Sequence, residues 1–297
     1  MLAYCLIFVA SAFATFAQSP PVVPTQPFTP TPIRLTLDDL PEPYATSSAS
    51  KPAIVVAVPS NATLLVPDVN FRVTIYRSGL RTPRQMIYTP SDDILVVENS
   101  GGLISILTDT TTSVFADASN GIARAFGIAF VPGWFYVANA GDLRRFRYQT
   151  AYLTPKNVDP RRRFANGSSE RPDLVEITRT PDVLLQAHSA VLDMQFYRGT
   201  QFPSRYQNGA FIACHGSWNR NAGTGYKLVF IPFNDSNRPQ GYYEEFLKGF
   251  LLDPQGPTTF GRPVGLLEMK DGSLLFSEDG NGRIYRIEYG KSTVSSK

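Results

Sequence analysis

Short runs of apolar residues, separated by turns rich in Gly, Asp and Asn, recur along the chain from about residue 80 onward. Each recurrence contains an apolar strand, a turn, a second strand, a polar loop and a third strand. Apolar runs of this length between turn residues predict β-strands, and no long stretch keeps the period of an amphipathic helix. The sequence therefore predicts an all-β protein.

Four copies of this unit can be recognised. Three are in clear register, and the fourth has longer loops: LRTPRQMIYTPSDDILVVENSGGLISIL from Leu80, ARAFGIAFVPGWFYVANAGDLRRFRY from Ala123, GRPVGLLEMKDGSLLFSEDGNGRIYRI from Gly261, and the longer unit from His188. A small antiparallel sheet cannot bury both faces alone, and radial stacking of sheets covers them. Repeats in register therefore favour a β-propeller, with about four recognisable blades, over a β-sandwich.

The N-terminal residues have the features of a signal peptide. Leu2–Ala17 is uncharged and apolar and ends in Thr15-Phe16-Ala17, which predicts secretion with cleavage near Ala17. A membrane anchor is the alternative, but this run is shorter than the roughly 20 residues that span a bilayer.

The composition divides the rest of the chain into three parts. Residues 18–67 are rich in Pro, Ser and Thr and predict a linker, with one strand-like run at Ala53–Val58. Residues 68–290 contain the repeats and predict the propeller domain, and residues 291–297 form a C-terminal tail. Three sequons predict glycosylation of a secreted chain at Asn61, Asn166 and Asn234.

Charge and motifs exclude several classes of function. The net charge is +3, and the one dense basic run, Arg161–Arg163, is typical of a solvated loop, so nothing indicates nucleic-acid binding. Cys214 is the single cysteine of the mature chain and has no intramolecular partner. The chain lacks a Gly-rich phosphate loop, a paired-Cys metal motif and a Gly-x-Ser-x-Gly elbow, so nicotinamide dehydrogenase and serine hydrolase functions lack support.

Several segments resemble the secreted pyrroloquinoline quinone-dependent sugar dehydrogenases of the L-sorbosone, glucose and fungal pyranose type. They are His188–Phe196, AFIACHGSWNR at Ala210–Arg220, Gly225-Tyr226-Lys227, and GRPVG followed by DGSLLFSEDGNGRIYRI. The resemblance extends from Phe71 to Gly290. It implies a six-bladed propeller that binds the quinone and Ca²⁺ at one end of its channel, oxidises a sugar by hydride transfer to the quinone, and passes electrons to an external acceptor.

Part of the family pattern is absent. About 35 residues separate Tyr148 from Val183, whereas a blade needs roughly 40 or more, so about two blades of the family are missing there. The family's catalytic His lies in a Gly-Gly-His-Trp-Thr-Arg type segment, and a quinone-binding Arg lies in Leu-Arg-Asn-Pro; this chain has neither segment. An inactive propeller fragment or binding module, from a truncated or mis-spliced gene model, is therefore the alternative to an active enzyme.

The repeat pattern predicts which residues meet at the channel mouth. In a blade, the start of the innermost strand and the end of the second strand lie at one face. The starts bring Arg84, Arg124, His188 and Arg262 to this face, and the ends bring Glu98, Asn139, His215, Arg220 and Asp279.

The quinone carries three carboxylates, so its site needs several cations at fixed positions. The predicted cofactor-binding residues are Arg262, Arg220, Lys227, His215, Arg84 and Arg124. For Arg84 and Arg124 the assignment depends on repeat position alone, and bonds to loop carbonyls of the next blade are the alternative.

Two further roles stay open in the sequence. His188 and His215 are the candidates for a general base, with a structural hydrogen-bonding role as the alternative, and neither occupies the position of the family's base. Glu98 and Asp279 are candidate calcium ligands, with turn capping as the alternative. A calcium-dependent lactone or ester hydrolase propeller would need a larger cluster of channel carboxylates and amides than Glu98, Asn139 and Asp279.

Overall fold

A computed structural model describes residues 19–39, 49–90, 92–108, 111–131, 134–147 and 181–290. In these ranges the protein is nearly all β, as predicted, with three short 3-10 turns at Leu37–Asp39, Ala118–Asn120 and Ser204–Tyr206 and no α-helix. The strands are β1 (Val22–Val23), β2 (Thr25–Pro27), β3 (Ile54–Val55), β4 (Leu64–Val66), β5 (Phe71–Arg77), β6 (Pro83–Tyr88), β7 (Ile94–Glu98), β8 (Leu103–Leu107), β9 (Thr112–Ala116), β10 (Gly127–Val131), β11 (Trp134–Ala138), β12 (Leu143–Arg147), β13 (Val191–Phe196), β14 (Ala210–Cys214), β15 (Lys227–Ile231), β16 (Glu244–Leu247), β17 (Leu251–Asp253), β18 (Thr258–Thr259), β19 (Pro263–Glu268), β20 (Leu274–Glu278) and β21 (Arg283–Tyr289).

Each of the four repeats forms one antiparallel sheet. The first sheet has the order β6-β7-β8-β9, the second β10-β11-β12 and the third β13-β14-β15-β16. The fourth sheet begins with β19-β20-β21 and continues through β5 to β1, so strands from both ends of the described chain share it. Pairing of Tyr289 with Phe71 fixes the register between β21 and β5.

The innermost strands of the four sheets lie side by side in the order β13, β19, β6, β10. Side chains join them: Asp193 accepts a hydrogen bond from the backbone N–H of Leu266 at 2.8 Å, and Gln85 accepts one from Ile128 at 2.7 Å. Gly265 must be glycine because a Cβ there would lie 2.6 Å from the carbonyl oxygen of Arg84. The number of blades in a closed ring stays a prediction.

Ser277 links the fourth sheet to the first, and its removal tests this packing. Its hydroxyl donates to the carbonyl of Arg84 at 2.6 Å and accepts from the N–H of Gly265 at 2.9 Å, in a position with no solvent exposure. Because Ser277→Ala leaves both backbone groups without this partner, we expect the free energy of unfolding to fall by about 1–3 kcal/mol. Urea denaturation measures this, and the exposed Ser113→Ala should stay within about 0.5 kcal/mol of wild type.

An aromatic core joins the third and fourth sheets. Phe71 makes edge contacts with Phe202, Tyr206 and Phe246, with ring centroids 5.1, 5.8 and 5.2 Å away. All four rings are at most 3% exposed. This core gives the two sheets that carry most of the candidate site a fixed relative position.

The Pro-rich residues before β5 pack along the sheets in the part that the structure describes. β1 extends the fourth sheet, β2 pairs with β4, and β3, inside the predicted run Ala53–Val58, pairs in parallel with β18. The predicted signal peptide and C-terminal tail lie outside the described residues. Among the described residues, no helix has the length and apolar character that a membrane crossing requires.

Candidate functional site

Four of the predicted channel-mouth residues form one cluster. His215 follows β14, Asp279 follows β20, Arg262 precedes β19, and Arg84 is the second residue of β6. The cluster therefore draws on three of the four sheets, and its members come together because β13, β19 and β6 are neighbours in the arrangement of innermost strands.

Asp279 is the centre of the cluster. Its carboxylate lies 2.8 Å from Nη2 of Arg84 and 3.0 and 3.1 Å from Nε2 of His215, and Asp279 is 8% exposed. Burial alone would raise the pKa of Asp279, but the His215 hydrogen bond and the charges of Arg84 and Arg262 hold it below its usual range. Asp279 is therefore ionised at neutral pH.

The contacts of His215 determine its tautomer. Nη2 of Arg262 lies 3.0 Å from Nδ1 of His215, and because a guanidinium only donates, Nδ1 must accept. The imidazole proton therefore resides on Nε2 and points at Asp279. Burial lowers the pKa of His215, and this outweighs the opposing effect of Asp279, so His215 is neutral at pH 7.

Glu278, next to Asp279, has a different role. Its carboxyl oxygens accept hydrogen bonds from the N–H groups of Gly280 at 2.6 Å, Asn281 at 2.9 Å and Arg262 at 3.3 Å. Glu278 has no solvent exposure, and burial raises its pKa to about 7. Glu278 thus caps the turn that presents Asp279, and it adds less than a full negative charge near the cluster at neutral pH.

The loop that carries His215 has a conformation that depends on a glycine. Gly216 has φ +110, a value that side-chain-bearing residues rarely adopt, and a Cβ there would overlap the ring of Tyr226. The Tyr226 hydroxyl donates to the carbonyl of Ser217 at 2.9 Å, and the N–H of His215 donates to the carbonyl of Ala190. These contacts fix the start of the HGSWNR segment against β13.

The cluster has the chemistry of an anion site. Two guanidinium groups face one ionised carboxylate and one neutral imidazole, which leaves an excess of positive charge. The Nε–H groups of Arg84 and Arg262 are buried and have no hydrogen-bond partner among the described residues. Arginine forks match carboxylates well, so these residues fit a ligand that carries carboxylates, as the quinone does.

The described residues do not fit a calcium site. They contain no group of three or more His, Cys, Asp or Glu that could hold a metal ion. Both oxygens of Glu98 accept hydrogen bonds, from the N–H of Arg81 and the hydroxyl of Ser105, and Asp279 is bound to Arg84 and His215. Glu98 thus has the turn-capping contacts that were the alternative to metal binding.

The other predicted cofactor-binding residues contact different groups. Arg220 donates to the loop carbonyls of Ala222 and Ala187, at 3.2 and 3.3 Å. Lys227 lies on the third strand of its sheet and pairs with Glu245 at 2.7 Å. Arg124, with φ +48, is exposed. The structure therefore brings Arg84, Arg262 and His215 together. Arg220, Lys227 and Arg124 lie outside this cluster.

The remaining candidates also lie outside the cluster. His188 is exposed and has φ +65. Asn139 accepts from the N–H of Ala123 and donates to Gly121 and Asp142, which closes its own loop. The sequons at Asn61 and Asn234 lie on exposed positions, whereas Asn166 and the Arg161–Arg163 run lie outside the described residues.

A cavity of about 330 Å³ lies between the innermost strands. It is lined by Gln85, Phe126, Gly127, Ala138, Leu192, Asp193, Val264 and Gly265. It adjoins the cluster through Phe126, whose ring centre is 5.5 Å from the guanidinium carbon of Arg84. The cluster and this cavity together form the candidate site.

Comparison with known proteins identifies a family model that resembles the second part of the chain. Residues 169–290 match the model of the TrAA12-like family, and a pyrroloquinoline quinone-dependent pyranose dehydrogenase of Coprinopsis cinerea is 31% identical over 123 residues. The resemblance to a quinone-dependent sugar dehydrogenase-like family is confirmed. The TrAA12-like segment contains His215, Arg262 and Asp279, and Arg84 lies before it.

The relatives are much longer than the matched region. The pyranose dehydrogenase match covers 36% of this chain and 16% of that protein. A Borreliella burgdorferi protein without an assigned function is 45% identical over 107 residues, which cover 36% of this chain and 28% of that protein. The matched segments therefore cover less than a third of the length of each relative.

Solved structures support the fold. Iodide and calcium structures of a Trichoderma reesei protein of carbohydrate-active enzyme family AA12 have TM-scores of 0.54 and 0.53, are 15% identical, and cover 80% of this chain and 99% and 98% of that protein. The holo pyrroloquinoline quinone domain of Coprinopsis cinerea pyranose dehydrogenase has a TM-score of 0.52, is 16% identical, and covers 80% of this chain and 99% of the domain. At these identities the likeness concerns the fold alone.

Proposed function

We propose that this protein is a secreted quinoprotein that binds pyrroloquinoline quinone through Arg84 and Arg262 and oxidises a sugar. The observation that carries the proposal is the pair of guanidinium groups in the cluster around Asp279, each with a buried Nε–H that has no partner among the described residues. The 31% identity over 123 residues to a pyrroloquinoline quinone-dependent pyranose dehydrogenase supports the choice of quinone over other anions.

When bound, the quinone would accept a hydride from a sugar carbon and later release two electrons to an external acceptor. Arg84 and Arg262 would bind its carboxylates through their free donors and orient the ring. Asp279 holds Arg84, and the neutral His215 keeps its proton on Nε2. Nδ1 of His215 accepts a hydrogen bond from Arg262. Nδ1 can therefore take up a proton from a sugar hydroxyl only after Arg262 has left it to bind the ligand.

Arg262→Gln tests the binding site. The variant lacks the guanidinium charge and its bidentate geometry, so we expect about 10- to 100-fold weaker binding of the quinone. Absorbance titration and thermal shift of the calcium-supplemented full chain measure the affinity. Arg238→Gln, an exposed arginine on the hairpin after β15, should bind like wild type; equal affinity of the two variants contradicts the proposed site.

A second candidate function is an anion-binding module without dehydrogenase turnover. Both ring nitrogens of His215 are already engaged, by Arg262 and Asp279, and the family's catalytic His segment is absent from the sequence. Dye reduction across a panel of sugars, with quinone and calcium added, separates the two functions. Quinone binding without sugar-dependent reduction supports the module, and sugar-dependent reduction supports the enzyme.

A further inference from the structure

Residues 51–56, from the Pro-rich N-terminal part, contact three separate loops. Each of these loops carries or adjoins one residue of the cluster: the segment after β14 carries His215, the segment from β17 to β19 carries Arg262, and the turn after β20 carries Asp279. The sequence predicts a linker with a strand-like run at Ala53–Val58 here, and nothing in the repeat pattern connects it to the site.

The first contact is with the HGSWNR segment. The backbone N–H of Lys51 donates to the carbonyl of Trp218 at 2.7 Å, and its ammonium group donates to the carbonyl of Asn221 at 2.9 Å. Trp218 is three residues after His215 and is 59% exposed. These bonds join Lys51 to the exposed part of the loop, while the buried Ser217 is held by the N–H of Thr224 and the hydroxyl of Tyr226.

The second contact is with the segment that leads to Arg262. The ammonium of Lys51 also donates to the carbonyl of Gln255 at 3.3 Å. The N–H groups of Ile54 and Val56 donate to the carbonyls of Pro257 and Thr259, at 3.0 and 2.9 Å. One lysine side chain therefore bridges the His215 loop and the Arg262 segment, and charge-assisted bonds of this kind are stronger than neutral ones.

The third contact is with the turn that presents Asp279. The side-chain amide of Asn281 donates to the carbonyl of Val56 at 3.0 Å and to that of Phe260 at 2.9 Å. The N–H of Asn281 donates in turn to Glu278. Asn281 therefore joins residues 51–56 to the turn that carries Asp279 and, through Glu278, to the last residue of β20.

We infer that residues 51–56 are a positioning element for the His215–Arg262–Asp279 cluster, and that Lys51 fixes the spacing between the His215 loop and the Arg262 segment. The importance of this spacing for quinone binding rests on the proposed function. The effect of this spacing on the contact between His215 and Arg262 does not depend on the proposed function.

Lys51→Met tests the inference, because it removes both side-chain bonds and keeps the backbone bond to Trp218. The chain contains two histidines, so the NMR signals of their ring protons are easily assigned, and the exposed His188 is an internal reference. We expect the His215 signal to shift and its titration midpoint to rise toward the ordinary value of about 6.5, while the His188 signal at a fixed pH keeps its position. Quinone affinity should fall about fivefold.

Arg34→Met is the matched control. Arg34 belongs to the same N-terminal part and donates to the carbonyl of Gln240 at 3.2 Å, on the hairpin after β15. It should leave the His215 signal and its midpoint as in wild type, and Lys51→Arg should restore both. Where Lys51→Met does not fold, Lys51→Gln, which keeps N–H donors without the charge, replaces it.

An unchanged His215 signal and midpoint in a folded Lys51 variant overturns the inference. Equal changes in Lys51→Met and Arg34→Met also overturn it, because they indicate a general loosening of the N-terminal part. If wild type binds no quinone, the proposed function fails, but the His215 signals still decide the positioning role.

Discussion

Asp279→Asn is expected to lower the free energy of unfolding by about 3–5 kcal/mol, because it removes one partner of a buried ion pair. Because Asn has nearly the same shape as Asp, the expected loss of stability comes from the missing charge. The side chains of Arg84 and Asp279 are 18% and 6% exposed, and the variant leaves the Arg84 guanidinium without its counter-charge. Urea denaturation at pH 7 measures the difference.

Asp142→Asn is the matched control for this effect. Asp142 pairs with Arg144 at 2.9 Å, a distance close to that of the buried pair, but both side chains are nearly half exposed. Exposed ion pairs contribute about 0–1 kcal/mol, so this variant should unfold almost like wild type. Losses of equal size in the two variants would show that burial of the cluster does not determine its contribution.

The fold could be predicted to the level of its repeats. Each strand-turn-strand unit is a local pattern of apolar residues and turn residues, and local patterns are visible in a sequence. The joining of β5 to β21 is not local, because Phe71 and its partner Tyr289 are 218 positions apart in the sequence. The same holds for the path of the N-terminal part, where Pro-rich composition indicates a linker and gives no information on which carbonyl groups it will bind.

For the candidate site, the sequence predicted which residues lie at one face, but not which side chains pair with each other. Repeat position placed Arg84, His215, Arg262 and Asp279 at one face, and the structure joins them. The ion pair Arg84–Asp279 forms because β6 lies beside the fourth sheet. No local sequence pattern predicts this contact between sheets.

Residue type alone does not show which partner a charged side chain will contact. Lys227 and Arg220 have the charge that an anion site needs, but Glu245 and two loop carbonyls are nearer. Glu278 was not singled out, although a signal existed: it occupies the same place at the end of a second strand as Glu98, and both accept backbone N–H groups of a neighbouring loop.

Glu278 is expected to make the protein less stable as pH rises, and Glu278→Gln should remove that dependence. Burial raises the pKa of Glu278 from its usual 4.5 to about 7, so between these values the folded chain holds a proton that the unfolded chain has released. The free energy of unfolding therefore decreases as pH rises through this window. The decrease reaches about 3 kcal/mol above pH 7, at 1.36 kcal/mol per pKa unit.

The measurement compares wild type and Glu278→Gln by urea denaturation at pH 4.5 and at pH 8. Gln does not titrate and keeps an oxygen that accepts from the N–H groups of Gly280 and Asn281, so the variant should gain about 3 kcal/mol relative to wild type between the two pH values. Other carboxyl groups titrate in both proteins, and their effects cancel in the difference. A difference that is the same at both pH values would show that Glu278 is ionised in the folded protein throughout, with its three N–H donors outweighing its burial.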